Sequence, residues 1–438
     1  MESVDVATTA PAPLTVPATP MSLTEARAAV ATTIADQRDN LLAISHQIHD
    51  DPELSYQEFR SAALLADQLG AAGYDVTLGC YGLDTAFEAV IGEGDVTATL
   101  CLEYDALPKI GHACGHNIIA TAGLGAAIAL APLAAEAGVR VKVLGTPAEE
   151  HGGGKVDMLR AGAWEDSTFS LMVHGMTTGD VAVERTVFTA VERFQVTFHG
   201  VASHAAGAPW LAVNAGAAAT LSLTAMALLR QHIPHTANIN AYISNGGAAT
   251  NIIPDLAELQ VEVRAADLDV HRDLKQRVMN CFEGAAIATG CTWEQHATEN
   301  GYAPVKHDPD LSRIWDANLS TRGRTLDDSY DLGGGSTDMG NVSQVLPGLH
   351  GTVALDGCEA APTRSPSSRR PRAPRGMTPF WTPRPRWPGP SSTSPTIRRC
   401  APTCWPARPL VRSVPPPSTR SESRSAPLDL SRVRHRSI

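Results

Sequence analysis

Between Arg193 and His296 the chain runs strand, helix, strand, strand, helix, strand. Arg193–His199 alternates so that Phe194, Val196 and Phe198 share one face, and Asn214–Gln231 has the apolar spacing of a helix. Ile239–Ile243 and Ala257–Arg264 read as strands, Val270–Ile287 as a helix and Thr292–His296 as a last strand. This β-α-β-β-α-β order is the ferredoxin-like pattern, which closes a small sheet under two helices and buries its own core. It admits few alternatives, and it separates an earlier part of the chain from a later one.

Before it, helices and strands alternate in another style. Ser22-Leu-Thr-Glu25 is a capping box that opens a helix running to about His49, where Asp51-Pro52 stops it. Ser55-Tyr-Gln-Glu58 is expected to start a second helix, followed by strands at Asp75–Leu78, Ala86–Ile91 and Thr97–Glu103. Asn117–Ala135 is apolar almost all round and is expected to be a buried helix. Val139–Val143 and Phe169–His174 read as further strands. After Tyr302 the first style resumes, through Gly333–Met339 and a helix to Val345. The expected fold is therefore α/β: a mixed-sheet domain with an inserted, ferredoxin-like βαββαβ domain. The expected boundaries are a disordered segment at 1–21, a first domain at 22–190 and 300–362, the insert at 191–299, and a tail at 363–438.

The tail is marked by charge. From Arg364 onward, sixteen Arg stand against Glu422 and Asp429, a charge of +14 on a chain whose total is −11, so the residues before it carry −25. It is rich in Arg, Pro and Ser and has no Lys, and its prolines recur too often for helix or strand. Such a string is what GC-rich DNA read out of frame tends to encode, and a frameshift near Pro362 is the expectation. A basic tail could also bind phosphate backbones, but this one carries no fold motif, so no nucleic-acid partner is expected. No run of 18 uncharged apolar residues is present and no membrane partner is expected. Met1-Glu-Ser-Val-Asp5 lacks the features of a secretory leader, and eight scattered cysteines do not form a disulfide framework, so a cytoplasmic setting is expected.

Ligand-type side chains gather at the ends of the expected strands. Cys114 and His116 flank Gly115 just before the buried helix, and thiolate with imidazole suits zinc, while imidazole with carboxylate also suits manganese. Glu149 and Glu150 follow the Val139–Leu144 strand. Two adjacent carboxylates point in different directions, so one can bind metal while the other stays free as a base. His174 ends the next strand, and Asp105 follows Thr97–Glu103, placed to orient His116. His46, His49, His112 and His151 are read as supporting or structural, and Cys400 and Cys404 have no companions for a zinc site.

The chain resembles the M20-type metallopeptidases and amidohydrolases, in the branch of aminoacylase-like and p-aminobenzoyl-glutamate hydrolase-like proteins. The resemblance rests on His46–Ser55, Glu103-Tyr-Asp-Ala-Leu-Pro108, Gly111–Asn117, Thr146-Pro-Ala-Glu-Glu150, Val173-His-Gly175, Ala202-Ser-His-Ala205, Asn251-Ile-Ile-Pro254 and Gly335–Gly340, in family order. It implies that the mixed-sheet domain is a metallo-hydrolase catalytic domain, that the insert is a lid or dimerisation domain, and that the reaction is hydrolysis of an amide bond in a small N-acyl amino acid, dipeptide or aminobenzoyl-glutamate-like substrate. It implies two divalent ions, zinc or manganese, held by Cys114, His116, Glu150 and His174. Glu149 is then the base, Asp105 orients a ligand, and His204 polarises the scissile carbonyl across a homodimer formed by the insert. Asn251, Arg264 and Gly335 would contact substrate.

One family feature is not matched. A histidine that completes the two-metal site is expected after Glu359-Ala-Ala-Pro362, where this chain reads Thr363-Arg-Ser-Pro366. His350, in Leu349-His-Gly351, is the nearest candidate to stand in. The second metal position is therefore expected to be incomplete, and the alternative reading is a catalytically silent, dimeric metal-binding protein.

Overall fold

The computed structural model describes residues 21–355 apart from 178, 329–331 and 334. The expectations for the N-terminal segment, for Cys358–Pro362 and for the Arg-rich tail with Cys400 and Cys404 lie outside the described residues.

The first helix, Leu23–Asp50, starts where its capping box predicts. The Glu25 carboxylate accepts the Ser22 backbone N–H at 2.9 Å, and the Ser22 hydroxyl oxygen accepts the Glu25 N–H at 3.3 Å. The second helix, Phe59–Ala71, starts later than the sequence suggests. Ser55 caps nothing; its hydroxyl donates to Asp105 at 2.9 Å, and Tyr56 is held at φ +64°, outside helical space. The buried helix runs from His116 to Leu130 and restarts at Ala134–Ala137. Pro132 explains the break, because it has no N–H to give and crowds the preceding turn.

A six-stranded mixed sheet carries this domain. Its order is Asp75–Leu78, Phe87–Ile91, Val139–Gly145, Val96–Leu102, Phe169–Met176, Gly348–Ala354. The pairings made by Phe87–Ile91 are antiparallel, and the remaining four strands are mutually parallel. Val96–Leu102 is buried on both faces after its first residue, as a central parallel strand must be. One face packs Phe87, Leu100, Leu102, Val141 and Val143 against the Leu23–Asp50 and His116–Leu130 helices, where Ile44, Ile48 and Leu124 are buried. Because four strands are parallel, their C-terminal ends open on one edge, where chemistry collects in such sheets.

The insert is a four-stranded antiparallel sheet in the order Thr292–Ala297, Ala190–His199, Leu256–Ala265, Ala237–Asn245, covered by the helices Ala215–Leu229 and Leu268–Thr289. Phe194, Val196 and Phe198 are all buried on the helix side, and the Phe194 and Phe198 rings meet Phe282. A helix at Pro309–Thr321 was not expected, although Asp308 caps it and Pro309 opens it, a readable start signal. The helix expected to reach Val345 is only Met339–Ser343. No helix among the described residues is long and apolar enough to cross a membrane.

Candidate metal centre

Asp105 and Glu103 leave the Val96–Leu102 strand two residues apart and both are buried. Asp105 Oδ1 lies 2.9 Å from His116 Nδ1, while Oδ2 accepts the Ser55 hydroxyl and the Glu150 backbone N–H, each at 2.9 Å. Burial works against its charge, but the His116 ring and these hydrogen bonds prevail and hold the carboxyl at about 2. With Nδ1–H given to Asp105, His116 turns its Nε2 lone pair inward. Nε2 stands 3.6 Å from Glu103 Oε2, 3.7 Å from Glu149 Oε2 and 3.8 Å from Glu150 Oε1.

The other Glu103 oxygen is taken by Lys155. The Lys155 ammonium, fully buried, bridges Glu103 Oε1 and Asp338 Oδ1, and Asp338 Oδ2 also accepts the Lys155 backbone N–H at 2.9 Å. Glu103 Oε2 and His116 Nε2 are then buried without a hydrogen-bond partner. Two buried lone-pair atoms 3.6 Å apart and without hydrogen-bond partners are costly unless a cation joins them. Oxygen and imidazole donors of Glu103, His116 and Glu149 all lie within 4.8 Å of one another, a donor set that suits a divalent ion.

Cys114 sits in the turn that Gly115, at φ +84°, makes before the helix. Burial, and next the neighbouring Glu150 carboxylate, push its thiol pKa far up. The two adjacent glutamates have raised pKa values, first from burial and then, for Glu149, from Glu103. In His116, burial opposes the proton, but Asp105, Glu103 and Glu150 outweigh it. His174 donates from Nδ1 to the Gly175 carbonyl at 2.7 Å, which leaves Nε2 free, and its ring meets that of His116 edge-on at 6.2 Å. A cation at this point would lower the proton affinity of the whole cluster.

The structure thus brings Asp105, Cys114, His116, Glu149, Glu150 and His174 together. His204 is elsewhere, exposed in the insert, where its Nδ1 accepts the Gly207 N–H at 2.9 Å. Asn251 is beside it: its carbonyl accepts the Ala205 N–H at 2.9 Å, and Ile252 pairs with His204. Arg264 and Gly335 form a further group. Arg264 donates to Glu262 and to the Ser336 hydroxyl at 2.8 Å, and the Gly335 carbonyl accepts the Thr189 N–H at 2.8 Å. His350 lies on the sheet beside His174, ring centres 5.8 Å apart, and packs on Phe188 at 4.5 Å.

Sequence reasoning missed Glu103, Lys155 and Asp338. Glu103 carried a signal, since residues i and i+2 of an extended segment share a side and Asp105 was already singled out. Lys155 carried none, because a lysine after a glycine run reads as a solvated charge.

The model of the peptidase dimerisation domain of the M20 family matches residues 192–289. The Xaa-Arg dipeptidase of Mus musculus is 38% identical over 352 residues, covering 75% of this chain and 81% of that protein. The human Xaa-Arg dipeptidase is 36% identical, covering 73% and 78%. A p-aminobenzoyl-glutamate hydrolase chain of Escherichia coli is 34% identical, covering 60% and 58%. Among solved structures, an aminobenzoyl-glutamate utilization protein from Klebsiella pneumoniae has the same fold, with a TM-score of 0.61 at 22% identity over 74% of this chain and 93% of that one. A dinuclear metal-binding M20 peptidase from Bacillus subtilis does too, with a TM-score of 0.58 at 21% identity over 74% and 91%. Fold, donor cluster and relatives agree: the chain belongs to the M20 family of metal-dependent peptidases and amidohydrolases, and it is a hydrolase of amide bonds.

Proposed function

We propose that this chain cleaves small dipeptides or N-acyl amino acids in the cytoplasm, with Glu149 as general base and Cys114, His116, Glu150 and His174 holding zinc or manganese. The observation that carries the reading is the Glu149 carboxylate, nearly buried and 3.7 Å from the inward-facing His116 Nε2. A divalent ion held by these residues would supply a water acidic enough to lose a proton near neutral pH. Glu149 then accepts the proton of the attacking water and returns it to the leaving amine. Burial supports that role, because it raises the proton affinity of Glu149 relative to a solvated carboxylate. Asp105 keeps the His116 lone pair aimed inward. Glu103 stands close enough to be a further ligand in place of the unmatched family histidine.

The insert at 191–299 supports a homodimer, because its match is a dimerisation domain. In that assembly His204 and Asn251 would reach the partner's substrate, where His204 meets charge developing on the carbonyl oxygen. Arg264 could exchange its Ser336 hydroxyl for a substrate carboxylate, a stronger, charge-assisted partner. The relatives favour dipeptides ending in arginine as first substrates, followed by aminobenzoyl-glutamate. The test is a screen of these and of N-acyl amino acids after reconstitution with zinc or manganese. Cleavage of none by a folded, metal-loaded dimer contradicts the proposal and returns the silent metal-binding reading.

A further inference from the structure

Glu58 is fully buried, and its carboxylate hydrogen-bonds Tyr56, Ala148 and Thr85 rather than the expected metal ligands. Its Oε1 accepts two backbone N–H groups, from Tyr56 and from Ala148, each at 2.9 Å. Both donors are in the left-handed region, Tyr56 at φ +64° and Ala148 at φ +63°. For a residue with a side chain that conformation costs roughly 1–2 kcal/mol, so something must hold it. The other oxygen, Oε2, accepts the Thr85 hydroxyl at 2.9 Å, and the Thr85 carbonyl is tied by the Tyr104 hydroxyl at 2.6 Å. Glu58 is thereby locked before it acts on the loop.

Ala148 immediately precedes Glu149. Its carbonyl accepts the Gly153 N–H at 2.8 Å, closing the turn that carries both glutamates. On the far side, the Tyr302 hydroxyl donates to the Glu149 carbonyl at 2.6 Å. The left-handed step at Ala148 therefore decides which way the Glu149 side chain leaves the backbone. We infer that Glu58 is a positioning residue for the hydrolysis: its Oε1 holds Ala148 left-handed and so aims Glu149 at the reacting centre. This rests on the reading of Glu149 as the base.

Geometry and charge can be separated by two small substitutions. Glu58→Gln removes the charge but keeps an amide oxygen for both N–H groups, and Thr85 can accept from its NH₂. Glu58→Asp keeps the charge but withdraws the acceptor by one carbon–carbon bond. With an Xaa-Arg dipeptide as probe, Glu58→Gln is expected to keep kcat within about threefold. Glu58→Asp is expected to lose about 100-fold in kcat at nearly unchanged KM, the scale of an ångström's misplacement. Adding Ala148→Gly to Glu58→Asp should restore part of that loss, since glycine adopts the left-handed conformation without strain. Exchange of the Ala148 amide proton, which needs no substrate, should be slow in the natural chain and in Glu58→Gln and faster in Glu58→Asp. The reverse order of the two variants, or no rescue by Ala148→Gly, overturns the inference. Glu149→Gln run alongside separates the two ideas: if it retains full activity the base reading fails, and if it is inactive while the Glu58 variants are alike, only the positioning role fails.

Discussion

Asp105 and His116 form the joint on which the site turns: Oδ1 fixes the imidazole through Nδ1 at 2.9 Å, and the second oxygen of the same carboxylate holds the Glu150 backbone. One buried side chain thus sets the direction of an imidazole lone pair and the position of a neighbouring carboxylate. Replacing it by Asn should leave the fold in place but loosen both. The expected result for Asp105→Asn is metal affinity lower by about 10- to 100-fold, read by competition with a chelator.

Lys155 stands between Glu103 and Asp338 with no solvent contact. Lys155→Met would leave two buried carboxylates without a counter-charge, at a cost of about 3–5 kcal/mol. Urea unfolding should show a lower midpoint with an unchanged slope, and a midpoint equal to that of the natural chain would count against the buried triad.

Gly154 has no room for a side chain. An added Cβ would lie 2.1 Å from the Pro147 carbonyl oxygen, in the loop that carries Glu149 and Glu150. Gly154→Ala is expected to cost about 1–3 kcal/mol by overpacking and to lower kcat through displacement of Glu149. Thermal unfolding and steady-state kinetics on the same preparation check both halves.

Residue by residue, the sequence was most informative where a local pattern and the tertiary context agree. Phe194, Val196 and Phe198 alternate because one face of their strand must be buried, and the structure buries all three. Cys114, His116, Glu149, Glu150 and His174 could be picked out because each follows or ends a strand of a parallel sheet. Ser55 misled, because the same short hydroxyl that caps helices also serves a buried carboxylate, and Asp105 takes it. The break at Pro132 was legible and was overridden by the apolar run around it. Lys155 and Asp338 were not legible, since they meet across 183 residues, and of the partners of Glu58 only Tyr56 is local, while Thr85 and Ala148 lie 27 and 90 residues away, where no spacing rule reaches.

Glu262 links stability to pH. Burial raises its carboxyl, but hydrogen bonds from Arg264 and Arg193 prevail and hold it at about 2 in the folded chain, against about 4.3 when unfolded. A depressed carboxyl stabilises the fold above the unfolded value, and that contribution is lost as pH falls from about 4.3 towards about 2. Glu262→Gln should therefore be less stable than the natural chain at neutral pH, and the gap should narrow across that window. A gap that stays constant in denaturant midpoints from pH 5 to about pH 2 would contradict the ion-pair assignment.

The role of Glu149 as base is read out by comparing the natural chain with Glu149→Gln, measuring bound zinc or manganese per protomer and turnover of an Xaa-Arg dipeptide on the same samples. Because Cys114, His116, Glu150 and His174 all remain, the metal is expected to be retained without the Glu149 charge, and kcat to fall by about 10²- to 10⁴-fold, the contribution of a positioned general base. Equal turnover at equal metal content would contradict it and move the base elsewhere in the cluster.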